Sequence, residues 1–330
     1  MDIIENVLLE TAKQFDRNAI SVEILANCRN KIYKANCLDY SFVLRLSDEQ
    51  HRSFKQIESE LDFQKYLFDN GADVAKILQT ESGENCLVVE MDNSCFIVSA
   101  FEYVIYKDWS ERNDNSEETY ILIGKALGKI HKLSKQYNPV SVEKRRLWSE
   151  QQELQKAGKL FKIYNAALYD KFTDFMCQMD REDKNIDNFG LTHGDYLISN
   201  YLIDDNNIKV IDFDECEYSW YAADLAICMR CYLFWTEHPE DLPKKAKEAE
   251  LMHYNLLLGY SSENKVTKDM VFDLEKYIKI RDYIELAQLL GQTELNDIEK
   301  TLFEMCIDRV LNNKPFLEIS TEKPERFLLK

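Results

Sequence analysis

The chain has 330 residues, 45% hydrophobic and 30% charged, with 59 acidic against 41 basic side chains and a net charge of −18. This length suits about two domains of ordinary soluble composition, and no stretch reaches the ~18 apolar residues of a membrane-spanning helix. The charge balance argues against a nucleic-acid partner, because neutralising phosphates needs clustered cations. The longest basic groups, Lys144-Arg145-Arg146 and Lys244-Lys245, are short and lie among acids. An acidic surface favours cationic small molecules near its clefts. Nine cysteines, an odd number without framework spacing or a secretion signal, read as the reduced thiols of a cytoplasmic protein. Cys228-Met-Arg-Cys231 has no second pair and no matching His, and it reads as part of a buried helix.

The N-terminal MDIIENVLLETAKQF is an acidic amphipathic helix with Ile4, Leu8 and Phe15 on its buried side and no basic targeting region. Residues 19–25 and 31–37 alternate and are rich in Ile, Val and Tyr, so two strands are predicted around a loop, 26–30, that contains no glycine. Ser41 to Leu46 is the third strand. Phe42, Leu44 and Leu46 share one face, and Arg45 points the other way with Val43. Phe54, Ile57, Leu61 and Phe68 recur at helical spacing over 52–69, with Asp69-Asn70-Gly71 as a stop signal and Glu60 at the edge of the buried face. Two further strands are predicted at 86–90 and 96–100, then a helix over 119–133. Gly124-Lys-Ala-Leu-Gly128-Lys129 superficially suggests a phosphate loop. It has one residue too few between the glycines, no Ser or Thr after Lys129 and a helical pattern, so it is rejected. Residues 139–188 are polar and helical, around Trp148 and 153–177. Beyond Asp224 the chain is helical, with Tyr254, Leu257, Leu258, Ile278, Ile284 and Leu286 facing a core; the charged tail 323–330 is expected to fray.

The most informative stretch runs from Gly190 to Leu225, GLTHGDYLISNYLIDDNNIKVIDFDECEYSWYAADL. His193, Gly194 and Asp195 open it as a loop, and Asn200 starts an alternating run, Tyr201-Leu202-Ile203. Asp204 to Asn207 is a strong turn signal. Ile208 to Phe213 is the returning strand, with Asp212 near its end. If Leu202 faces Val210, then Asn200 faces Asp212 on one side of the ribbon, with β-carbons roughly 5 Å apart. A one-residue slip would turn the two to opposite faces. An amide oxygen and a carboxylate together suit a hard cation such as Mg2+, which takes few protein ligands and completes its shell with substrate phosphates.

His-Gly-Asp-x-x-x-x-Asn followed by the strand-borne Ile-Asp-Phe-Asp resembles the aminoglycoside phosphotransferase and choline kinase family, in its spore-coat-kinase-like branch. The resemblance implies an α+β, protein-kinase-like two-lobe fold. The small lobe, 1–103, has an antiparallel sheet of five strands and one helix and binds the nucleotide. The larger, mainly helical lobe, 104–330, carries the catalytic loop, the metal site and the acceptor. The implied reaction moves the γ-phosphate of ATP, with Mg2+, to a hydroxyl of a small molecule. Asp195 would orient and deprotonate that hydroxyl, Asn200 and Asp212 would hold the metal, and His193 and Asp224 would brace the loop. Arg45 would pair the nucleotide phosphates, steadied by Glu60, with Glu58 as the competing partner. Asn30-Lys-Ile-Tyr33 looks like a family segment in the phosphate-covering loop, and Phe101-Glu102-Tyr103 resembles the hinge whose backbone meets adenine. Leu127 to Leu133 matches the family's Leu-His helix, with His131 structural, and Arg281 matches a family Arg of unassigned role. Asp214, Glu217 and Trp220 are acceptor candidates, and Asp214 is equally a candidate for a second metal. The acid and aromatic side chains there suit an amine-bearing acceptor. Aminoglycosides, amino alcohols, sugars and protein hydroxyls all remain open, as does a nucleotide-binding module without turnover. Oligomeric state is not legible.

Overall fold

The computed structural model describes residues 3–27, 29–91, 94–106, 116–139, 142–204, 207–236, 242–316 and 319–329. Cα proximity divides the chain into two compact units. The first comprises Met1–Arg112, Gln136–Arg145 and Tyr201–Asp214; the second comprises Asn113–Lys135, Arg146–Asn200 and Glu215–Lys330.

The first unit begins with α1 (Ile3–Phe15), β1 (Ser21–Asn27), β2 (Lys31–Asn36), β3 (Ser41–Asp48), α2 (Phe54–Asp69), β4 (Ile77–Leu78), β5 (Cys86–Met91) and β6 (Ser94–Glu102). The strands form one antiparallel sheet in the order β1-β2-β3-β6-β4, with β5 also paired to β6. It has six strands rather than five, because two-residue β4 joins its edge. Alternation along each strand gives the sheet two apolar faces. Phe42, Leu44 and Leu46 pack with Leu8, Leu9 and Phe15 of α1. Ile97 and Cys86 pack with Ile57 and Leu61 of α2. Each such buried aliphatic side chain contributes about 1.5–3 kcal/mol. A capping box holds the start of α2: Ser53 accepts from the Gln56 N–H, and the Gln56 side chain accepts from the Ser53 N–H.

The chain continues through α3 (Glu117–Ser134), α4 (Gln152–Tyr164), α5 (Ala166–Asp180), β7 (Phe189–Thr192), β8 (Tyr201–Asp204), β9 (Asn207–Val210), β10 (Glu217–Trp220), α6 (Tyr221–Thr236), α7 (Leu242–Ser261), α8 (Lys268–Phe272), α9 (Leu274–Leu290) and α10 (Asp297–Asn312). In the second unit α3 lies against α7 so closely that a Cβ on Gly124 would sit 2.0 Å from the Leu256 carbonyl oxygen. Gly124 and Gly128 are thus packing positions within a helix. β10 pairs antiparallel with β7. The expected fraying tail instead forms a 3₁₀ turn, Pro324–Leu329, whose Phe327 is buried against the Tyr254 ring.

The β8–β9 hairpin belongs to the first unit, where Val210 donates to the Asp73 carbonyl (2.8 Å) and its own carbonyl accepts from the Ala75 N–H (3.0 Å). Its register corrects the expected one by a single residue: Tyr201 faces Val210 and Leu202 faces Lys209. The returning strand also ends at Val210, so Asp212 lies beyond it, while Asn200 closes a 3₁₀ turn, Ile198–Asn200, ahead of β8. Asn200 and Asp212 are therefore not a cross-strand pair. The turn residues Asp205 and Asn206 and the terminal Lys330 lie outside the described residues, as do the side chains of Ile4 and Lys244.

Candidate active site

In the first unit the central feature is a buried fork. Arg45 on β3 donates through Nη1 and Nη2 to the two carboxylate oxygens of Glu60 on α2, at 2.7 and 3.0 Å. Arg45 is 5% exposed and Glu60 1%. The partner is Glu60 and not Glu58 because Glu60 lies on the inward face of α2 with Ile57 and Leu61. Burial lowers the guanidinium pKa, but Glu60, with Asp212 and Asp214 behind it, more than offsets this, so the net shift is upward and Arg45 is permanently charged.

Asp212 stands beside the fork, its Oδ1 3.7 Å from Arg45 Nη1, with 47% of its side chain exposed. Its φ of 62° is left-handed, a conformation that Asp tolerates better than most residues. Asp214 is buried and tied down: Arg52 Nη2 reaches its Oδ1 at 3.2 Å, Asn30 Nδ2 its Oδ2 at 3.5 Å, and Arg145 donates to its carbonyl at 2.6 Å. Asn30 thus approaches a carboxylate in this structure. Glu102 uses its backbone N–H on the Lys76 carbonyl (2.9 Å), and its side chain accepts from the Lys76 N–H and from Lys209. Tyr103 follows β6, with Lys34 Nζ 4.9 Å from the centre of its ring.

In the second unit a loop leaves β7 as His193-Gly194-Asp195. Gly194 has φ +80°, and a Cβ there would lie 2.2 Å from the Glu215 carbonyl oxygen, so glycine is required on both counts. Asp224, fully buried near the start of α6, collects the loop: it accepts from the N–H groups of His193 (2.7 Å) and Gly194 (2.9 Å) and from His131 Nε2 (3.0 Å). Burial lowers the His131 pKa more than Asp224 raises it. A neutral ring fits the network, with Nε2–H donating to Asp224 and Nδ1 accepting from the Tyr260 hydroxyl at 3.1 Å.

Asn200 folds back on the same loop. Its Nδ2 donates to the Asp195 carbonyl (2.9 Å) and lies 3.4 Å from Asp195 Oδ2. That bond assigns the amide nitrogen inward and turns Oδ1 to the other side, where Ser199 Oγ lies at 3.3 Å. Among the described residues no cluster of three or more His, Cys, Asp or Glu side chains could enclose a metal. Asn200 Oδ1 in the second unit and the exposed Asp212 carboxylate in the first are each oxygen donors of the kind that a hard cation accepts.

The remaining acceptor candidates are turned inward. Trp220 has no exposed surface; its Nε1 donates to the Asp183 carbonyl (3.0 Å) and its ring packs on Trp148 and Phe189, so it serves the core and not an acceptor. Glu217, 4% exposed, is held by Arg146 Nε (3.0 Å) and Gln151 Nε2 (2.7 Å). Burial pushes its carboxyl up to about 7, only partly countered by Arg146.

Two groups were not assigned from the sequence. Arg52 anchors Asp214, and Arg281 on α9 places Nη1 3.2 Å from Asp195 Oδ1. Arg281 and Glu285 are four apart on one helix, the one local signal in the letters, but nothing local points from either to Asp195.

Residues 25–254 match the sequence pattern of the phosphotransferase enzyme family. The chain is 26% identical over 305 residues to an amicoumacin kinase of Bacillus subtilis (strain 168), covering 91% of this chain and 89% of that protein. Its fold is that of a solved amicoumacin kinase, hAmiN in complex with AMP-PNP, Ca2+ and Ami, with a TM-score of 0.83 at 21% identity over 97% of both chains. It is also similar to a microcompartment-associated aminopropanol kinase, with a TM-score of 0.69 at 18% identity over 93% of this chain and 98% of that one. With well over half of its length matched, the chain belongs to the phosphotransferase enzyme family.

Proposed function

We propose that this protein transfers the γ-phosphoryl group of ATP to a hydroxyl group of a small, amine-bearing molecule. The observation that carries the reading is the Asp195 loop: a glycine-dependent turn pinned by buried Asp224, with Asn200 bonded back to it. Phosphoryl transfer needs little covalent help, so a rigidly held carboxylate beside fixed charges is what catalysis demands. The acceptor oxygen bonds to the γ-phosphorus, the bond to the bridging oxygen breaks with its electron pair leaving on ADP, and the hydroxyl proton passes to Asp195. Arg45, steadied by Glu60, grips nucleotide phosphates; Asn30 lines the covering loop, and Glu102 and Tyr103 mark the adenine edge. Asn200 Oδ1 and the Asp212 carboxylate are the proposed Mg2+ ligands. The cation, when bound, neutralises charge on the phosphates. His193 and Asp224 are structural supports of the loop.

In functional terms residues 1–103 handle the nucleotide, and 104–330 carry catalysis and the acceptor. The names of the relatives support a small-molecule acceptor: amicoumacin, aminopropanol, spectinomycin and choline kinases or phosphotransferases. Aminopropanol and choline are amino alcohols, which agrees with a net charge of −18. The eight described cysteines are free thiols, consistent with a cytoplasmic setting, and no described helix is long and apolar enough to cross a membrane.

The test is ADP release from Mg-ATP over a panel of aminoglycosides, amino alcohols, homoserine, sugars and a protein substrate, with Asp195→Ala as control. Acceptor-dependent release that disappears in the variant supports the reading. Turnover with neutral sugars alone removes the amine requirement, and labelling of protein alone identifies a protein kinase. Nucleotide binding without turnover on any acceptor identifies a binding module, for which the glycine-free loop at 26–30 is the favouring observation.

A further inference from the structure

Asp195 ends a line of alternating charges in the second unit. Its Oδ1 meets Arg281 Nη1 (3.2 Å), Arg281 Nε meets Glu285 Oε1 (3.3 Å), and Glu285 accepts from both terminal nitrogens of Arg230 on α6. Arg230 Nη2 reaches Asp282 Oδ1 (3.2 Å), and Asp282 Oδ2 accepts from Arg309 Nε on α10 (2.9 Å). Asp282 is fully buried, and Glu285, Arg230 and Arg309 are nearly so. Burial alone would raise the Glu285 pKa, but Arg230 and Arg281 reverse this and hold the carboxyl below its usual range, so Glu285 is ionised.

Arg281 is the link from this buried array to the loop. An exposed arginine pairing with one carboxylate loses side-chain entropy for a small return. Here the guanidinium is held at Nε by Glu285, which the Arg230 fork holds in turn, so its orientation is set before any acceptor arrives. Asp195 Oδ1 is buried on that side, although the side chain as a whole keeps 22% of its surface. We propose that Arg281 is a positioning residue for phosphoryl transfer: braced by Glu285, it fixes the Asp195 carboxylate with Oδ1 inward, which leaves Oδ2 to receive the acceptor's proton. The inference rests on the assignment of Asp195 made above.

The experiment compares wild type, Arg281→Ala, Arg281→Lys and Glu285→Gln for kcat, for the KM of acceptor and nucleotide, for AMP-PNP affinity and for melting temperature. Arg281→Ala is expected to lower kcat roughly 10- to 100-fold through misplacement of the carboxylate, with nucleotide affinity within about threefold of wild type. Added guanidinium should restore part of that kcat, and none to Asp195→Ala; Arg281→Lys should fall between wild type and Arg281→Ala. Wild-type kcat in Arg281→Ala overturns the inference. So does a loss that guanidinium leaves untouched and that follows melting temperature and nucleotide affinity together, since that is a merely structural role. If Arg281→Ala does not fold, Arg281→Lys and Glu285→Gln carry the test, and unchanged kcat in both overturns it. A double-mutant cycle of Arg281→Met and Asp195→Asn, read by melting without ligand, must show coupling; additivity overturns the pairing whatever the turnover. Silence of the wild type on every acceptor sinks the functional reading itself, an outcome distinct from an active wild type with indifferent Arg281 variants.

Discussion

The two units hold their charged site residues by opposite devices. In the first, Arg45 is hydrogen-bonded to one carboxylate, Glu60, in a closed two-bond fork within a hydrophobic setting, with the exposed Asp212 carboxylate 3.7 Å from Nη1. In the second, Asp195 ends a line in which each inner member has two oppositely charged neighbours. A buried pair closed by one fork has a weak point, because removing Glu60 leaves the buried Arg45 only the longer contact to exposed Asp212. A line spreads the loss, because each neighbour keeps a second partner. The difference also suits the proposed tasks: a cation that grips phosphates needs one fixed direction, whereas a carboxylate that meets a hydroxyl must be oriented while part of it stays open.

The largest expected effect tests the open end of the line. Asp195→Ala should lower acceptor-dependent turnover by roughly 10³-fold or more while urea unfolding changes little, because Arg281 keeps Glu285. A large stability loss would show that Asp195 is a structural member and erase the contrast. Next, Glu60→Gln should lower unfolding free energy by about 3–5 kcal/mol, the penalty for stranding a buried charge. Glu285→Gln should lower it less, by about 1–2 kcal/mol, since Arg230 keeps Asp282 and Arg281 keeps Asp195. Equal losses in the two urea titrations would end the distinction between pair and line.

The smallest change at neutral pH is expected at Glu217→Gln, within about 1 kcal/mol, because relief of a buried charge and loss of an ion pair to Arg146 nearly cancel. Its signature lies in the pH dependence. With a folded pKa of about 7, above the ordinary 4.5, the folded chain holds an extra proton over that interval. The contribution to stability is complete below pH 4.5 and is lost as pH rises to about 7. The variant should flatten that decline in melting temperature; an unchanged slope would assign it to another group.

Much of this was legible in the letters, and the misses share physical causes. β1, β2, β3, β5 and β6 follow period-two alternation, and α2 follows helical spacing with a stop signal. Two-residue β4 is too short to carry a period, and β10 hides behind Glu217, a charge that reads as solvent-facing but is buried. The β8–β9 register slipped because turn composition marks a turn without setting its length. Asp195, Asn200 and Asp212 stood out because they lie within one short stretch, and Asp224 through the family resemblance alone. The pairing of Arg281 with Asp195 could not stand out, since two helices and a loop distant in sequence must pack before it exists. Trp220 misled because an aromatic beside acids suits a ligand pocket and a core equally well until burial is known.

The β8–β9 hairpin has a consequence for synthesis. Domains generally fold as units while the chain emerges from the ribosome, N-terminal portions first. The first unit cannot do so, because Val210 supplies the backbone partners of Asp73 and Ala75 and the unit closes only at Asp214. About two thirds of the chain must be translated before that sheet and its helices are complete. Until then the nascent segment carries Val74 and its neighbours without their native backbone partners, a window for chaperones that an uninterrupted N-terminal domain of the same size would not need.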